Sequence, residues 1–166
     1  DSVSELNCDF TVPHVRNLQA MTLAFASGQE NDKYPNKNNL IHPPESIHIL
    51  IVGHGNIGSL TGRKLRDRCK GVNIGVYDPD PVVLVPKDFR HFSEYEEALR
   101  SANVIVICTS GDRVPGEPNP PLIDAHHKQH IKDNCHIVNC ARGNLINPSA
   151  LLELAEKQNV TFSLDV

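Results

Sequence analysis

The sequence predicts an α/β fold: a doubly wound parallel sheet with helices on both faces. Three observations carry this. Short aliphatic runs alternate with stretches of helical spacing along most of the chain. The runs show no polar alternation, as suits strands buried on both faces. Aromatic residues make up only 5% and tryptophan is absent, so the core has to be aliphatic. At 166 residues the chain has room for one domain with a real core, since roughly 100 to 200 residues per domain is usual.

The elements follow in order. Val15 to Ala26 places Val15, Leu18, Met21 or Thr22, and Phe25 at the spacing of one apolar helical face. Ser27 to Ser46 is rich in proline and asparagine and has no apolar period, so residues 1–46 read as an N-terminal helix and a polar arm, ahead of a domain over 47–166. Ile47 to Val52 is a buried strand ending at Gly53. Asn56 to Lys70 is a helix with Ile57, Leu60 and Leu65 inward, the row Arg63, Lys64, Arg66 and Arg68 toward solvent, and Gly71 as its stop. Val72 to Tyr77 is the next strand. Ser93 and Glu96 stand at capping-box spacing before a short helix through Arg100, and Asn103 to Cys108 is a strand. Thr109 to Pro121, with four prolines, is a loop at a strand's carboxyl end, where ligands gather in such sheets. Asp124 to Lys132 is expected to be helical, and Cys135 to Cys140 is a strand. Asn147 caps a helix that starts at Pro148 and runs to about Gln158. Val160 to Val166 alternates as a last strand.

Composition excludes several classes. With 16 Lys and Arg against 20 Asp and Glu the formal charge is −4, which draws the chain to neither nucleic acid nor an anionic membrane. No apolar run approaches the roughly 18 residues of a spanning helix, and DSVSELNCDF lacks the layout of an export signal. The five cysteines, Cys8, Cys69, Cys108, Cys135 and Cys140, show no Cys-x-x-Cys spacing, which points away from a disulfide framework and a cysteine zinc site. A soluble, cytoplasmic protein is expected.

Two clusters carry chemistry. Gly53-His54-Gly55-Asn56-Ile57-Gly58 fits G-x-G-x-x-G between a strand and a helix. Gly53 permits the tight turn, Gly55 lets a diphosphate approach backbone amides, and Gly58 allows close packing of helix on sheet. The helix start offers its dipole and free N–H groups to the phosphates. Asp78 stands 20 residues after Gly58 at the end of the second strand, where a carboxylate accepts bonds from both ribose hydroxyls and repels a 2′-phosphate. NAD is therefore expected over NADP. The alternative is a glycine-rich turn of some other α/β protein, such as a methyltransferase, beside an incidental aspartate.

The second cluster is Val138-Asn139-Cys140-Ala141-Arg142-Gly143-Asn144-Leu145-Ile146-Asn147. An arginine at a strand's carboxyl end can hold the carboxylate of a 2-oxo acid through a bidentate guanidinium and polarise the adjacent carbonyl. Alone it would equally be a surface arginine. His126 and His130 share a helical spacing but lack a third ligand, so solvated histidines are expected there and no metal. His54 reads as an exposed or packing side chain, and Cys140 as a packed or cofactor-facing thiol.

Over about Val15 to Val166 the chain resembles the D-isomer-specific 2-hydroxyacid dehydrogenase family in its NAD-binding domain. The resemblance is carried by VRNLQAMTLAFA, ILIVGHGNIG, VYDPDP, SANVIVICTS, IVNCARGNLINPSALLELAE and SLDV. It implies a Rossmann domain of an oxidoreductase that passes a hydride between NAD(H) and a small 2-hydroxy or 2-oxo acid. Arg142 would be the substrate-binding, carbonyl-polarising arginine. Cys140 and Ala141 would line the nicotinamide side, Asp165 would contact the nicotinamide amide, and Cys108 and Thr109 would sit beside the adenosine. The family also carries a glutamate, a histidine and a substrate domain that these residues do not supply. The expectation is thus a fragment or truncated form with little activity alone; a non-catalytic NAD(H) sensor or interaction module is the alternative. A homodimer is expected by the same resemblance.

Overall fold

The computed structural model describes residues 2–15, 46–110, 112–114 and 117–166. Apart from Val15 and Ser46, the helix expected over Val15–Ala26 and the arm over Ser27–Ser46 lie outside the described residues.

The aliphatic runs form a six-stranded parallel sheet. Its strands are β1 (His48–Val52), β2 (Asn73–Tyr77), β3 (Arg90–Phe92), β4 (Val104–Ile107), β7 (His136–Asn139) and β8 (Thr161–Leu164), in the order β3-β2-β1-β4-β7-β8. The order reverses direction between β1 and β4, and in open α/β sheets the crevice outside the carboxyl ends at such a switch point is where ligands bind. Successive side chains of each strand point to opposite faces. On one face Ile49, Ile51, Ile74, Val76, Val104, Val106 and Val138 pack with Leu65 of helix α2 (Asn56–Arg68) and Cys8 of helix α1 (Ser2–Val15). On the other, Leu50, Val52, Ile105, Ile107 and Ile137 meet Leu99 of helix α3 (Tyr95–Ser101) and Leu154 of helix α4 (Pro148–Gln158). Each fully buried Leu or Ile contributes about 1.5–3 kcal/mol, so the two aliphatic layers are the main source of the fold's stability.

Several expectations need correction. α1 has no counterpart among the expected elements. Its inward residues are Ser4, Asn7, Cys8 and Thr11, which keep helical spacing without large apolar side chains. They dock it on α2: Asn7 Nδ2 donates to Thr61 Oγ1 at 3.5 Å, and Lys64 Nζ reaches Glu5 Oε1 at 2.5 Å and Ser4 Oγ at 3.0 Å. Arg68 pairs with Glu5 and, at 3.5 Å, with Asp9, while Arg66 pairs with Asp67 and Asp88. The basic row of α2 is therefore half an interhelix seam rather than a plain solvent face. Near its end α1 stacks His14 on His136 of β7, with centroids 4.2 Å apart and planes 11° from parallel.

β3 was unforeseen because Arg90 and His91 are exposed and only Phe92 turns inward. The capping box at Ser93 does not form: Glu94 is the N-cap of α3 and makes no side-chain cap bond. Asp124–Lys132 holds only a short 3-10 turn, His127–His130, which Asp124 starts by accepting the amides of His126 and His127. The loop Thr109–Pro121 contains a two-stranded antiparallel ribbon, β5 (Asp112–Val114) with β6 (Glu117–Pro118). α2 ends two residues early, and Gly71 supplies the reversal at φ +90°. Asn147 caps α4 as expected, accepting the Ser149 amide at 3.0 Å. Among the described residues, no helix is long and apolar enough to cross a membrane.

Candidate functional site

A cleft of about 480 Å³ opens at the carboxyl ends of the central strands. One wall is the turn from β1 into α2. Gly53 sits at φ +89°, and a Cβ there would come within 2.8 Å of the Thr109 amide nitrogen, so the turn lies against the chain leaving β4. A Cβ on Gly58 would stand 1.9 Å from the Gly53 carbonyl oxygen, which fixes how closely α2 packs on β1. Gly55 differs: a Cβ there would meet nothing within 4 Å, because it faces the open cleft. Gly55 is also the N-cap of α2; no side chain caps it, and the first turn carries no acid. The first amides of a 13-residue helix therefore point to the cleft with their positive dipole end uncovered.

Asp78, just past β2, joins this wall. Its Oδ2 accepts the His54 amide at 2.6 Å and its Oδ1 accepts the Asp80 amide at 2.9 Å, which locks the carboxylate to the glycine turn. Each oxygen keeps a further lone pair. His54 is 5% exposed and lies edge-on to Phe89 at 6.4 Å between centroids. Burial holds its imidazole below the usual range, so it is a packing side chain.

The opposite wall is the turn after β7. Cys140, Ala141 and Arg142 line it, and Arg142 is exposed, with Nη1 donating to the Ala141 carbonyl at 2.7 Å. The buried Asn139 holds this turn through its side-chain amide: Oδ1 accepts the amides of Ala141 at 3.0 Å and Arg142 at 3.3 Å, and Nδ2 donates to the Arg142 carbonyl at 2.8 Å. Between the walls lie Ile107, Cys108, Thr109 and Ser110. Burial pushes the Cys108 thiol up to about 12, and burial followed by the Asp165 charge pushes Cys140 up to about 11. Both thiols are neutral near pH 7, which removes a thiolate nucleophile from the site.

Of the residues singled out from the sequence, Gly53, Gly55, Asn56, Ile57, Asp78, Cys108, Thr109, Cys140, Ala141 and Arg142 share this one cleft. Gly58 lies behind it in the helix–strand contact. Asp165 also stands outside the lining: its amide donates to the Asn139 carbonyl at 3.1 Å, which continues the β7–β8 ladder. Val3 of α1 was missed, since nothing in its own segment relates it to a turn 50 residues on; it reaches the cleft because Asn7 anchors α1 to Thr61 and, at 3.5 Å, to Cys108 Sγ. His126, His127 and His130 lie apart, against Glu96, Asp124 and Arg100. No group of three His, Cys, Asp or Glu side chains fit to hold a metal exists among the described residues.

Residues 10–166 match the family model described as D-isomer specific 2-hydroxyacid dehydrogenase, NAD binding domain. The chain belongs to this family. Among curated relatives, erythronate-4-phosphate dehydrogenase of Shewanella sp. (strain ANA-3) is 31% identical over 119 residues, which are 71% of this chain and 31% of that protein. This chain thus spans about a third of the length of the curated relatives it matches. The fold is shared with the NAD-complexed D-isomer specific 2-hydroxyacid dehydrogenase of Lactobacillus delbrueckii ssp. bulgaricus, with TM-score 0.69, 18% identity and 95% of this chain over 45% of that one. It is shared also with the Xanthobacter autotrophicus Py2 member in complex with NADPH and MES, with TM-score 0.73, 17% identity and 99% over 67%. The six-stranded parallel sheet is therefore the fold of the NAD-binding domain of this family.

Proposed function

We propose that this domain lays NAD(H) across the cleft and serves an enzyme that moves a hydride between the nicotinamide and a small 2-hydroxy or 2-oxo acid. The observation that carries it is that Gly55 and Arg142, nearly 90 residues apart, border one cleft at the sheet's switch point. The glycine wall fits a diphosphate: Gly55 leaves open the space a Cβ would fill, and the uncapped first turn of α2 presents amide donors to an anion. Asp78 is held at the end of β2 with lone pairs left for two hydroxyls, and its charge disfavours a 2′-phosphate. Asn56, Ile57, Cys108 and Thr109 complete the cofactor side, Gly58 sets the helix spacing, and the family resemblance assigns Asp165, whose charge lies near Cys140, to the nicotinamide amide.

NAD, when bound, supplies the hydride acceptor. Arg142 is assigned the acid: its remaining N–H donors form a fork that grips a carboxylate and stabilises charge building on the neighbouring carbonyl oxygen. Cys140 and Ala141 exclude water beside it. Proton transfer falls to a histidine outside these 166 residues. The erythronate-4-phosphate dehydrogenase relatives suggest a sugar-acid substrate. A homodimer in the cytoplasm, with residues 1–46 as an arm whose α1 docks on the 47–166 domain, completes the proposal.

Titration with NADH by fluorescence or calorimetry tests it. Saturable binding is expected, at least tenfold tighter than for NADPH, with the preference collapsing in Asp78→Ala. Absence of any signal at millimolar cofactor overturns the proposal. Binding together with oxidation of no 2-hydroxy acid by any longer product of the same reading frame turns it toward a sensor module.

A further inference from the structure

The geometry points to Asn139 as the positioning residue of the arginine wall, the side chain that holds the Cys140–Arg142 backbone in the one conformation facing cofactor and substrate. This rests on the assignment of Arg142 above. β7 stops pairing after Asn139, because the Asn139 amide is the last of that strand in register with β4. Beyond it the chain has no ladder to follow, and the next regular structure is the short turn Gly143–Leu145.

What fills the gap is one carboxamide, 1% exposed. Its oxygen takes two successive amides and its nitrogen gives to the Arg142 carbonyl, so both polar ends are spent on two consecutive residues, Ala141 and Arg142. Its own backbone carbonyl is occupied by the Asp165 amide from β8. The clamp is thus anchored on the sheet and acts on the turn, while Arg142 itself is exposed and, among the described residues, otherwise bonds to its neighbour Ala141 and to the turn it begins. Neither aspartate nor leucine reproduces it. Aspartate keeps the acceptor, but sets a carboxylate oxygen against the Arg142 carbonyl; leucine keeps the volume and takes the acceptor away from the Ala141 and Arg142 amides.

Backbone amide exchange and NADH titration on the same chain separate positioning from packing. Asn139→Leu is expected to speed exchange at Ala141 and Arg142 at least tenfold while Ile137 and Val138 in β7 keep their protection, and to weaken NADH about tenfold. Asn139→Asp is expected to keep the Ala141 amide protected and to weaken NADH less than threefold. Unchanged exchange at Ala141 in the leucine variant overturns the inference. So does loss of protection spread evenly along β7, which is what a mere core-packing role gives, and so does unaltered NADH affinity beside fast exchange at Ala141. Failure of the unsubstituted chain to bind NADH sinks the dehydrogenase assignment instead, and the exchange data still judge the clamp.

Discussion

The two walls of the cleft are built by opposite means. At the β1–α2 turn the geometry comes from what is missing: Gly53 and Gly58 let backbone approach backbone at distances no side chain permits. At the β7 turn it comes from what is present, a single buried carboxamide bonded three times. A wall of absences tolerates no added atom and a wall of bonds tolerates no lost one. The same cleft is therefore fragile in two different directions.

The largest effect should come from adding one carbon where there is no room. Gly58→Ala drives a Cβ into the Gly53 carbonyl and is expected to lower unfolding free energy by at least about 2–3 kcal/mol, read by urea titration. Gly55→Ala is its internal control: with open space around the new Cβ, stability should stay within about 0.5 kcal/mol while NADH affinity drops. Equal destabilisation by both would erase the contrast between packing and ligand-facing glycines.

Acid probes the strand beneath the arginine wall. His136 lies between Thr161 and Ser163 of β8, through Nδ1 at 2.7 Å and Nε2 at 3.1 Å, and under His14 of α1. Burial, then the neighbouring His14, lower it to about 4; burial lowers His14 too. The unfolded chain takes up the proton near pH 6.5 and the folded chain only near 4, so the unfolded state binds more protons in that window. Stability is full above pH 6.5 and falls as pH drops toward 4, by up to about 2–3 kcal/mol from His136. Urea midpoints measured across that window should flatten in His136→Gln; an unchanged acid limb would remove His136 from the account.

The smallest effect belongs to the helix that follows the arginine wall. Asn147→Ala strips the cap from α4 and should cost about 1 kcal/mol by the same urea measurement, with NADH affinity unmoved. A loss of cofactor affinity there would mean that the arginine wall leans on α4 rather than on β7.

The contrast between walls also explains what could be read in advance. Gly53, Gly55 and Gly58 announce themselves because the sequence writes a missing side chain as a residue type, and the aliphatic runs of β1, β4 and β7 do the same for the core. Asp78 and Arg142 were placed by their positions after strands. Asn139 sat in plain view, but an asparagine's partners are decided by how the chain turns back on it, not by its neighbours in sequence. α1 was hidden for a related reason. Its buried stripe of Ser4, Asn7, Cys8 and Thr11 has the period of a helix and the composition of a loop, and what makes it a docking face is Thr61, Lys64 and Cys108 far along the chain. Short pieces such as Arg90–Phe92 and His127–His130 bury too little to leave a pattern.

That Val3 completes the cleft has a consequence for the order of folding. The contacts that seat its helix reach 54 residues ahead to Thr61 and 101 ahead to Cys108, and closing loops of that size is slow. Contacts closed over such separations form after the neighbouring pairings of β1, α2 and β2, so α1 is among the last elements to be seated. A groove complete with Val3 would then report that both distant walls already stand, since the helix carrying it is held by residues on each side of the sheet's centre.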